Sequence, residues 1–171
     1  MKMNIFYTCT GMAIIIACVL LSGCIGVKEQ NTPPVFTKSA DVYEALSSFD
    51  GALESTALDW QVNSSLCESG LCRQQLIAEN GDQVVVTIRM YQSGSEATNA
   101  YTTMKKGLGK YTLSDVQIAD TGYAWHSGTQ SESGFLSGQT IGVVDYLSTQ
   151  GNTTGQESIN LATFLAESLI K

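Results

Sequence analysis

His126 is the only imidazole of the chain and the first candidate for a general base or a metal ligand. It follows Trp125 in a short run of strand-forming residues. Either role needs partner side chains close by, such as Asp120 or Asp145 in a hydrolase or a metal-dependent enzyme. No G-x-S-x-G motif supplies a nucleophile for it. We expect an ordinary histidine and no catalytic residue, and we keep such an enzyme as the alternative.

Four carboxyl groups in the second half of the chain offer another chemistry: Asp115, Asp120, Glu132 and Asp145. Two that converge would form an acid pair, and a larger group would suit calcium. The sequence has no EF-hand loop, and the spacing of these acids is typical of turns and solvated strand faces. We therefore expect separate surface carboxylates, with no metal site and no bound cofactor.

The segment Leu21-Ser22-Gly23-Cys24 ends an apolar run, Met12–Leu21, that follows the single charge of Lys2. A basic start, an apolar stretch and small residues before a cleavage point are typical of a signal peptide. The apolar run is too short to cross a bilayer, which takes about 20 residues. An uncleaved anchor is the alternative, because the stretch from Ile5 to Val27 carries no charge.

This segment resembles the lipobox of bacterial and archaeal membrane lipoproteins. The resemblance implies that residues 1–23 are a lipoprotein signal peptide and that Cys24 is the lipid attachment site. The lipid would be a palmitate-type acyl anchor in bacteria and an archaeal lipid in archaea. The protein would then be held at the cell membrane by its lipid, facing outside the cytoplasm.

The charge balance restricts the partners. The chain carries 16 acidic and 9 basic side chains, a formal net charge of −7. Nucleic acids and anionic lipid surfaces are bound by clusters of basic residues, which this sequence lacks. We expect no nucleic-acid partner and a membrane contact made by the lipid anchor, since two acyl chains hold a protein without a basic patch.

Two of the five cysteines are predicted to pair in the folded part. Cys9 and Cys18 lie in the predicted signal peptide and Cys24 is the lipid site, which leaves Cys67 and Cys72. A disulfide between them would close a loop of about six residues and stabilise the fold by roughly 2 kcal/mol. An oxidising exterior favours this bond, and zinc would need further ligands.

The remaining chain divides into a tether and one domain. Residues 24–38 contain both prolines, Pro33 and Pro34, and little periodic apolar content, which predicts an extended tether. Residues 39–171 are predicted to form one extracytoplasmic domain. Asn63 and Asn152 each begin an N-x-S/T sequon in a predicted loop and are possible glycosylation sites.

Hydrophobic spacing predicts helices that begin near Ser39, Ser93 and Glu157. Asn80-Gly81 predicts a hairpin between strands over 73–79 and 83–91, with Val84, Val86, Ile88 and Met90 on one face of the second strand. Further short strands are predicted over 113–119, 122–127, 133–137 and 139–148 as an antiparallel meander. The stretch 58–62 is open between a strand and irregular structure.

These elements predict an α+β domain: an antiparallel sheet of about five to six strands with helices packed on one face. Their order resembles that of uncharacterised extracytoplasmic lipoprotein and sensor-like domains. That resemblance rests on core spacing and turns in 93–104, 119–124, 135–144 and 161–169. It carries no catalytic signature. We expect a non-enzymatic module that binds an unknown ligand or protein partner on its exposed sheet face, with a structural envelope protein as a further alternative.

Overall fold

A computed structural model describes residues 59–68 and 70–169, together with Leu46, Ser47 and Phe49. The predicted signal peptide, Cys24 and the tether lie outside these residues. Among the helices of the described part, none is both long enough and apolar enough to cross a bilayer.

The centre of the fold is one seven-stranded antiparallel sheet in the order β1-β2-β3-β7-β6-β5-β4. Its strands are β1 Trp60–Glu68, β2 Leu71–Ala78, β3 Gln83–Met90, β4 Ser114–Val116, β5 Thr121–Ser127, β6 Gln130–Ser137 and β7 Thr140–Leu147. The predicted antiparallel sheet is therefore confirmed. It has more strands than predicted, because 60–68 is fully a strand although its sequence is mostly polar.

The predicted Asn-Gly hairpin joins β2 to β3. Gly81 has a φ of +87°, the left-handed region that glycine adopts without strain. The Asn80 side chain accepts a hydrogen bond from the Asp82 amide at 3.0 Å. Asp82 in turn accepts from the Thr149 amide at 2.7 Å and from the Tyr146 hydroxyl at 2.8 Å. The turn is thus fastened to the end of β7.

Helix α1, Gly94–Gly107, begins where the sequence predicted. Ser93 is its N-cap and accepts a hydrogen bond from the Glu96 amide at 3.2 Å. The Glu96 carboxylate accepts a hydrogen bond from the Gln92 amide, also at 3.2 Å. Such side-chain acceptors satisfy amides that have no partner within the helix.

Helix α2, Gln156–Leu169, packs on one face of the sheet. Its Ala162 and Leu165 are fully buried against that face. The Ser158 hydroxyl lies 2.9 Å from that of Ser133 on β6. The sheet face under α2 carries the alternating side chains predicted for β3. Leu46 and Phe49, which are helical, belong to the same core. The buried sheet residues of this core are Cys72, Leu76, Val84, Val86, Ile88, Phe135 and Val144.

The prediction that helices cover one face is wrong, because α1 packs on the opposite face from α2. Ala97 and Tyr101 of α1 share a second core with Tyr123, Trp125, Leu136 and Ile141. Consecutive strand residues point to opposite faces, and Phe135 and Leu136 belong to different cores. Strands β5 to β7 bury apolar side chains on both faces, so each face needs its own cover.

Candidate functional site

The described elements cover only part of the sheet face on which α1 packs. Helix α1 lies mainly against β6 and β7, and no described element lies over β1, β2 and β3 on that side. We call this area of β1, β2 and β3 the open half-face. Its members are Gln61, Ser64, Leu66 and Glu68 of β1, Leu71, Arg73, Gln75 and Ile77 of β2, and Gln83, Val85, Thr87 and Arg89 of β3.

An irregularity in β1 brings Leu66 onto the open half-face. Val62 pairs with Leu76 on the α2 side, but the register shifts at Asn63, so that Ser64 pairs with Gln75. An extra residue in one strand moves the following side chains to the opposite face. Leu66 therefore lies beside Arg73, and its side chain is 52 % exposed.

The disulfide lies next to this pair in the register. Cys67 and Cys72 face each other across β1 and β2, with an S–S distance of 2.10 Å, as predicted from the sequence. Their side chains point to the α2 side, where Cys72 is buried. Because the bond joins the residues that adjoin Leu66 and Arg73, it holds those two in register.

Amide side chains form a short ladder along the open half-face. The Asn63 amide donates to the Gln75 carbonyl oxygen at 3.2 Å, and the Gln75 amide donates to the Gln83 carbonyl oxygen at 3.2 Å. Cross-strand side-chain pairs of this kind stabilise a sheet by a few tenths of a kcal/mol, roughly, and limit the rotamers of their members. Gln75 is thereby held in one orientation.

A shallow depression of about 400 Å³ occupies the middle of the open half-face. Hydroxyl groups, one amide, two apolar side chains and one guanidinium line it: Ser64, Ser65, Leu66, Arg73, Gln75 and Val85. Its volume is within the range of small-molecule sites, and the depression is an open concavity instead of an enclosed cavity.

Glu132 and Asp145 form an acid pair beside the open half-face. They are direct partners in the register of β6 and β7. Asp145 is also the partner of Val85, so the pair continues the row that crosses the depression. The expectation that these acids stay separate is wrong for this pair, because the register between two adjacent strands places them opposite each other.

Tyr123 completes this acidic group. Its hydroxyl donates to Glu132 at 2.5 Å. A Cβ built on Gly134, the register partner of Tyr123, would lie 2.5 Å from the tyrosine ring. The ring therefore lies across the glycine backbone, an approach that no other residue at 134 permits, and its hydroxyl reaches Glu132, two residues before Gly134 in β6.

Burial and the charge of Glu132, together with a hydrogen bond to it, raise the pKa of Asp145 to about 7, while Arg73 opposes the shift. The pKa of Tyr123 is raised well above its usual value by burial and by Glu132. Asp145 therefore holds a proton over much of the range in which an ordinary aspartate is charged. The pair can share that proton.

The other predicted candidates lie elsewhere. His126 follows Trp125 on β5, so it points to the α2 side, away from Glu132 and Asp145, and it lies beside Gly155. Asp120 accepts a hydrogen bond from the Gly138 amide at 2.7 Å. It precedes His126 by six residues of extended chain, about 20 Å. The geometry does not assemble the histidine-based site that the enzyme alternative requires.

Asp115 forms an ion pair with Lys105 at 2.9 Å, on the exposed side of α1. Over the part of the chain that the structure describes, no three histidine, cysteine or carboxylate side chains are grouped as a metal would need.

The two sequons differ in setting. Asn152 lies in the exposed loop between β7 and α2, as predicted. Asn63 lies within β1, so its prediction as a loop residue is wrong, although its side chain is exposed at the register shift. The polar sequence around it resembles a loop, but pairing with β2 makes it a strand.

Comparison of the chain with family models, with curated proteins and with solved structures finds no match. Sequence reasoning missed Arg73 and the Glu132–Asp145 pair. A signal for the pair was present in the sequence. The two-residue turn Gly138-Gln139 sets the register of β6 and β7, and counting back from it places Glu132 opposite Asp145. The position of Arg73 beside Leu66 had no such signal, since it depends on the shift at Asn63.

Proposed function

We propose that the protein is a lipid-anchored extracytoplasmic module, without enzymatic activity, that binds a ligand or a protein partner through the open half-face. The observation that carries the binding proposal is the contrast within one face. Helix α1 covers β6 and β7, whereas the neighbouring strands expose Leu66 and Arg73 around a depression. Ligand sites are concave and combine apolar side chains with a few polar groups that orient the ligand, and exposed Leu66, half-buried Val85, Gln75 and Arg73 make such a combination.

The anchor proposal rests on the lipobox resemblance of residues 21–24 and on the acidic composition, which offers no basic surface for attachment. A Cys24→Ala variant tests it, with Cys18→Ala as the matched control in the same leader. After cell fractionation we expect Cys24→Ala to lose its lipid and to be released or left unprocessed. The control should stay lipidated in the membrane. Equal behaviour of both variants would contradict the anchor.

A photo-crosslinking amino acid in place of Leu66 tests the binding surface in intact cells. The matched control carries it in place of Lys106, an exposed residue of α1. We expect an adduct from position 66, seen as a mass increase of the purified protein, and none from position 106. No adduct at either position, or equal adducts at both, would contradict binding through the open half-face.

The hydrolase alternative that uses His126 with nearby acids has no support in the geometry, because the sheet separates His126 from Glu132 and Asp145. A structural envelope protein remains the competing explanation for a membrane-anchored domain. The crosslinking experiment separates the two, since a module with a ligand predicts a position-specific adduct.

A further inference from the structure

Both arginines of the chain lie on the open half-face. They are Arg73 and Arg89, and the other basic side chains of this acidic sequence are lysines. Arg73 pairs with Thr87 in the register of β2 and β3, and Leu71 pairs with Arg89, so the two arginines are diagonal neighbours across one ladder. Diagonal positions on one face lie roughly 7–8 Å apart, within reach of long side chains.

Among the described residues neither guanidinium forms an ion pair, although Glu68 lies on the same face as the register partner of Leu71. Among the described residues the ion pair is that of Lys105 with Asp115, although the chain has many more acidic than basic side chains. Arg89 lies over the ring of Tyr91 at 5.7 Å, a contact that leaves its N–H groups available. Arg73 acts on Asp145 through its charge and, within the described part of the chain, has no carboxylate at ion-pair distance. Two exposed, unpaired arginines on one face of an acidic protein therefore keep their hydrogen-bonding capacity.

The depression surrounds Arg73 with a defined set of groups. Among the described residues that line it, Arg73 is the charged one. Ser64 and the oriented amide of Gln75 lie along β1 and β2, and Leu66 and Val85 supply apolar contact on either side. A guanidinium presents parallel N–H donors that fit the oxygens of a carboxylate or a phosphate. Apolar side chains next to it suit a ligand with an apolar part.

We propose that this depression is a binding site for a small amphipathic oxyanion, a molecule in which a carboxylate or phosphate group is joined to an apolar group. The anionic oxygens bind the guanidinium of Arg73, with Arg89 adding positive charge from the next strand. The apolar part lies against Leu66 and Val85. This assignment rests on the proposed function and names the ligand class for the same surface.

Three matched probes test the site on the full-length protein, held in nanodiscs of zwitterionic phosphatidylcholine. They are benzoate, phenyl phosphate and the uncharged benzamide. Titration followed by the backbone amide signals of Leu66, Arg73 and Gln75 should show saturable shifts with at least one anion and none with benzamide. The stronger of the two anions identifies carboxylate or phosphate as the natural group.

Two variants distinguish the effect of the Arg73 guanidinium on binding from the effect of positive charge elsewhere on the protein. Arg73→Gln should weaken binding of the anion by about tenfold or more, because it removes charge-assisted hydrogen bonds. Lys106→Gln removes one positive charge from α1 and should leave the affinity unchanged. Since Arg73 is exposed, we expect its variant to fold, which an unchanged amide spectrum away from the depression would verify.

Equal binding of benzamide, or an Arg73→Gln protein that titrates like the wild type, would overturn the oxyanion site. Absence of binding by both anions would overturn it as well. If crosslinking from position 66 still gives a specific adduct in that case, the surface binds a macromolecule and the proposed function survives. If crosslinking also fails, both proposals are wrong.

Discussion

The two halves of the face that carries α1 belong to the same sheet but differ in what covers them. Over β5 to β7, the aromatic side chains Tyr123 and Trp125 are buried beneath α1 and the segment after it, where Tyr111 stacks on Trp125 at 3.8 Å. Over β1 to β3, exposed Leu66 and Arg73 and the amide ladder lie beneath no described element. The comparison teaches that one half is a core and the other a surface, although the strands between them are continuous.

The largest effect should come from filling the space under Tyr123. Gly134→Ala places a methyl group within 2.5 Å of that buried ring. We expect a loss of about 3 kcal/mol in the free energy of unfolding, since an overpacked core must shift its backbone or rotamers. Chemical denaturation measures it. Gly107→Ala is the matched control, because a Cβ there meets no atom within 4 Å. Equal stability of both variants would show that Tyr123 does not lie across Gly134.

The disulfide should stabilise the edge of the other half, where it joins β1 to β2. Replacing both Cys67 and Cys72 by serine should lower the free energy of unfolding by about 2 kcal/mol, because the short loop is no longer closed in the unfolded chain. Hydrogen exchange should rise at the ends of β1 and β2 and stay unchanged in β6. A uniform rise over the whole sheet would contradict a local role for the bond.

Asp145, at the boundary between the halves, should make the free energy of unfolding depend on pH. Its pKa is raised from 3.8 to about 7, so the folded state holds a proton that the unfolded state has lost. Stability should therefore fall as the pH rises from about 4 to about 7, and the deficit should persist above pH 7. Asp145→Asn, which keeps a donor for Glu132, should raise the free energy of unfolding at pH 8 by on the order of 1–2 kcal/mol. Denaturation of both proteins at pH 4.5 and pH 8 measures the difference.

Asp82 should change the stability in the opposite direction with pH, and its variant therefore serves as a control for the Asp145 variant. Burial raises its pKa, but hydrogen bonds from Thr149, Tyr146 and Asn80 outweigh burial and lower it. Its contribution to stability is present above pH 4 and is lost as the pH falls below its usual pKa. The loss of stability of the wild type from pH 4.5 to pH 8 should therefore persist in Asp82→Asn and disappear in Asp145→Asn. If Asp145→Asn shows the wild-type slope, the acid pair does not share a proton.

The smallest effect should come from the open half-face itself. Leu66→Gln removes an apolar side chain that is about half exposed. A change below about 0.5 kcal/mol in the free energy of unfolding is expected, as for surface positions in general. Leu136→Gln, at a buried position beneath α1, is the comparison and should cost several times more. A large loss for Leu66→Gln would mean that this area is a core rather than a surface.

Local rules predicted the elements because their causes lie within a few residues. The capping box at Ser93 fixed the start of α1, Asn80-Gly81 fixed a hairpin, and alternation over 84–90 identified the side that α2 covers. The placement of α1 on the opposite face was not predictable in this way. Both faces of β5 to β7 carry buried apolar side chains, so the apolar pattern of α1 does not indicate which face it covers.

The candidate site was less predictable, because its residues meet through register. Two-residue turns allow the Glu132–Asp145 pair to be counted from the sequence, given correct strands. The Leu66–Arg73 pair follows an extra residue at Asn63, and no local pattern in that polar stretch indicates the position of the shift. The disulfide prediction succeeded because few cysteines were left to pair.

Chemical labelling of arginine tests the central claim most directly. Phenylglyoxal modifies exposed guanidinium groups, and amine acylation of Lys110 on the same molecule serves as the internal reference. The account predicts that Arg73 is labelled more slowly in intact cells than in the purified full-length protein, whereas Lys110 reacts equally in both. Equal labelling of Arg73 in cells and in the purified protein would mean that the open half-face has no occupant, and would contradict a binding module.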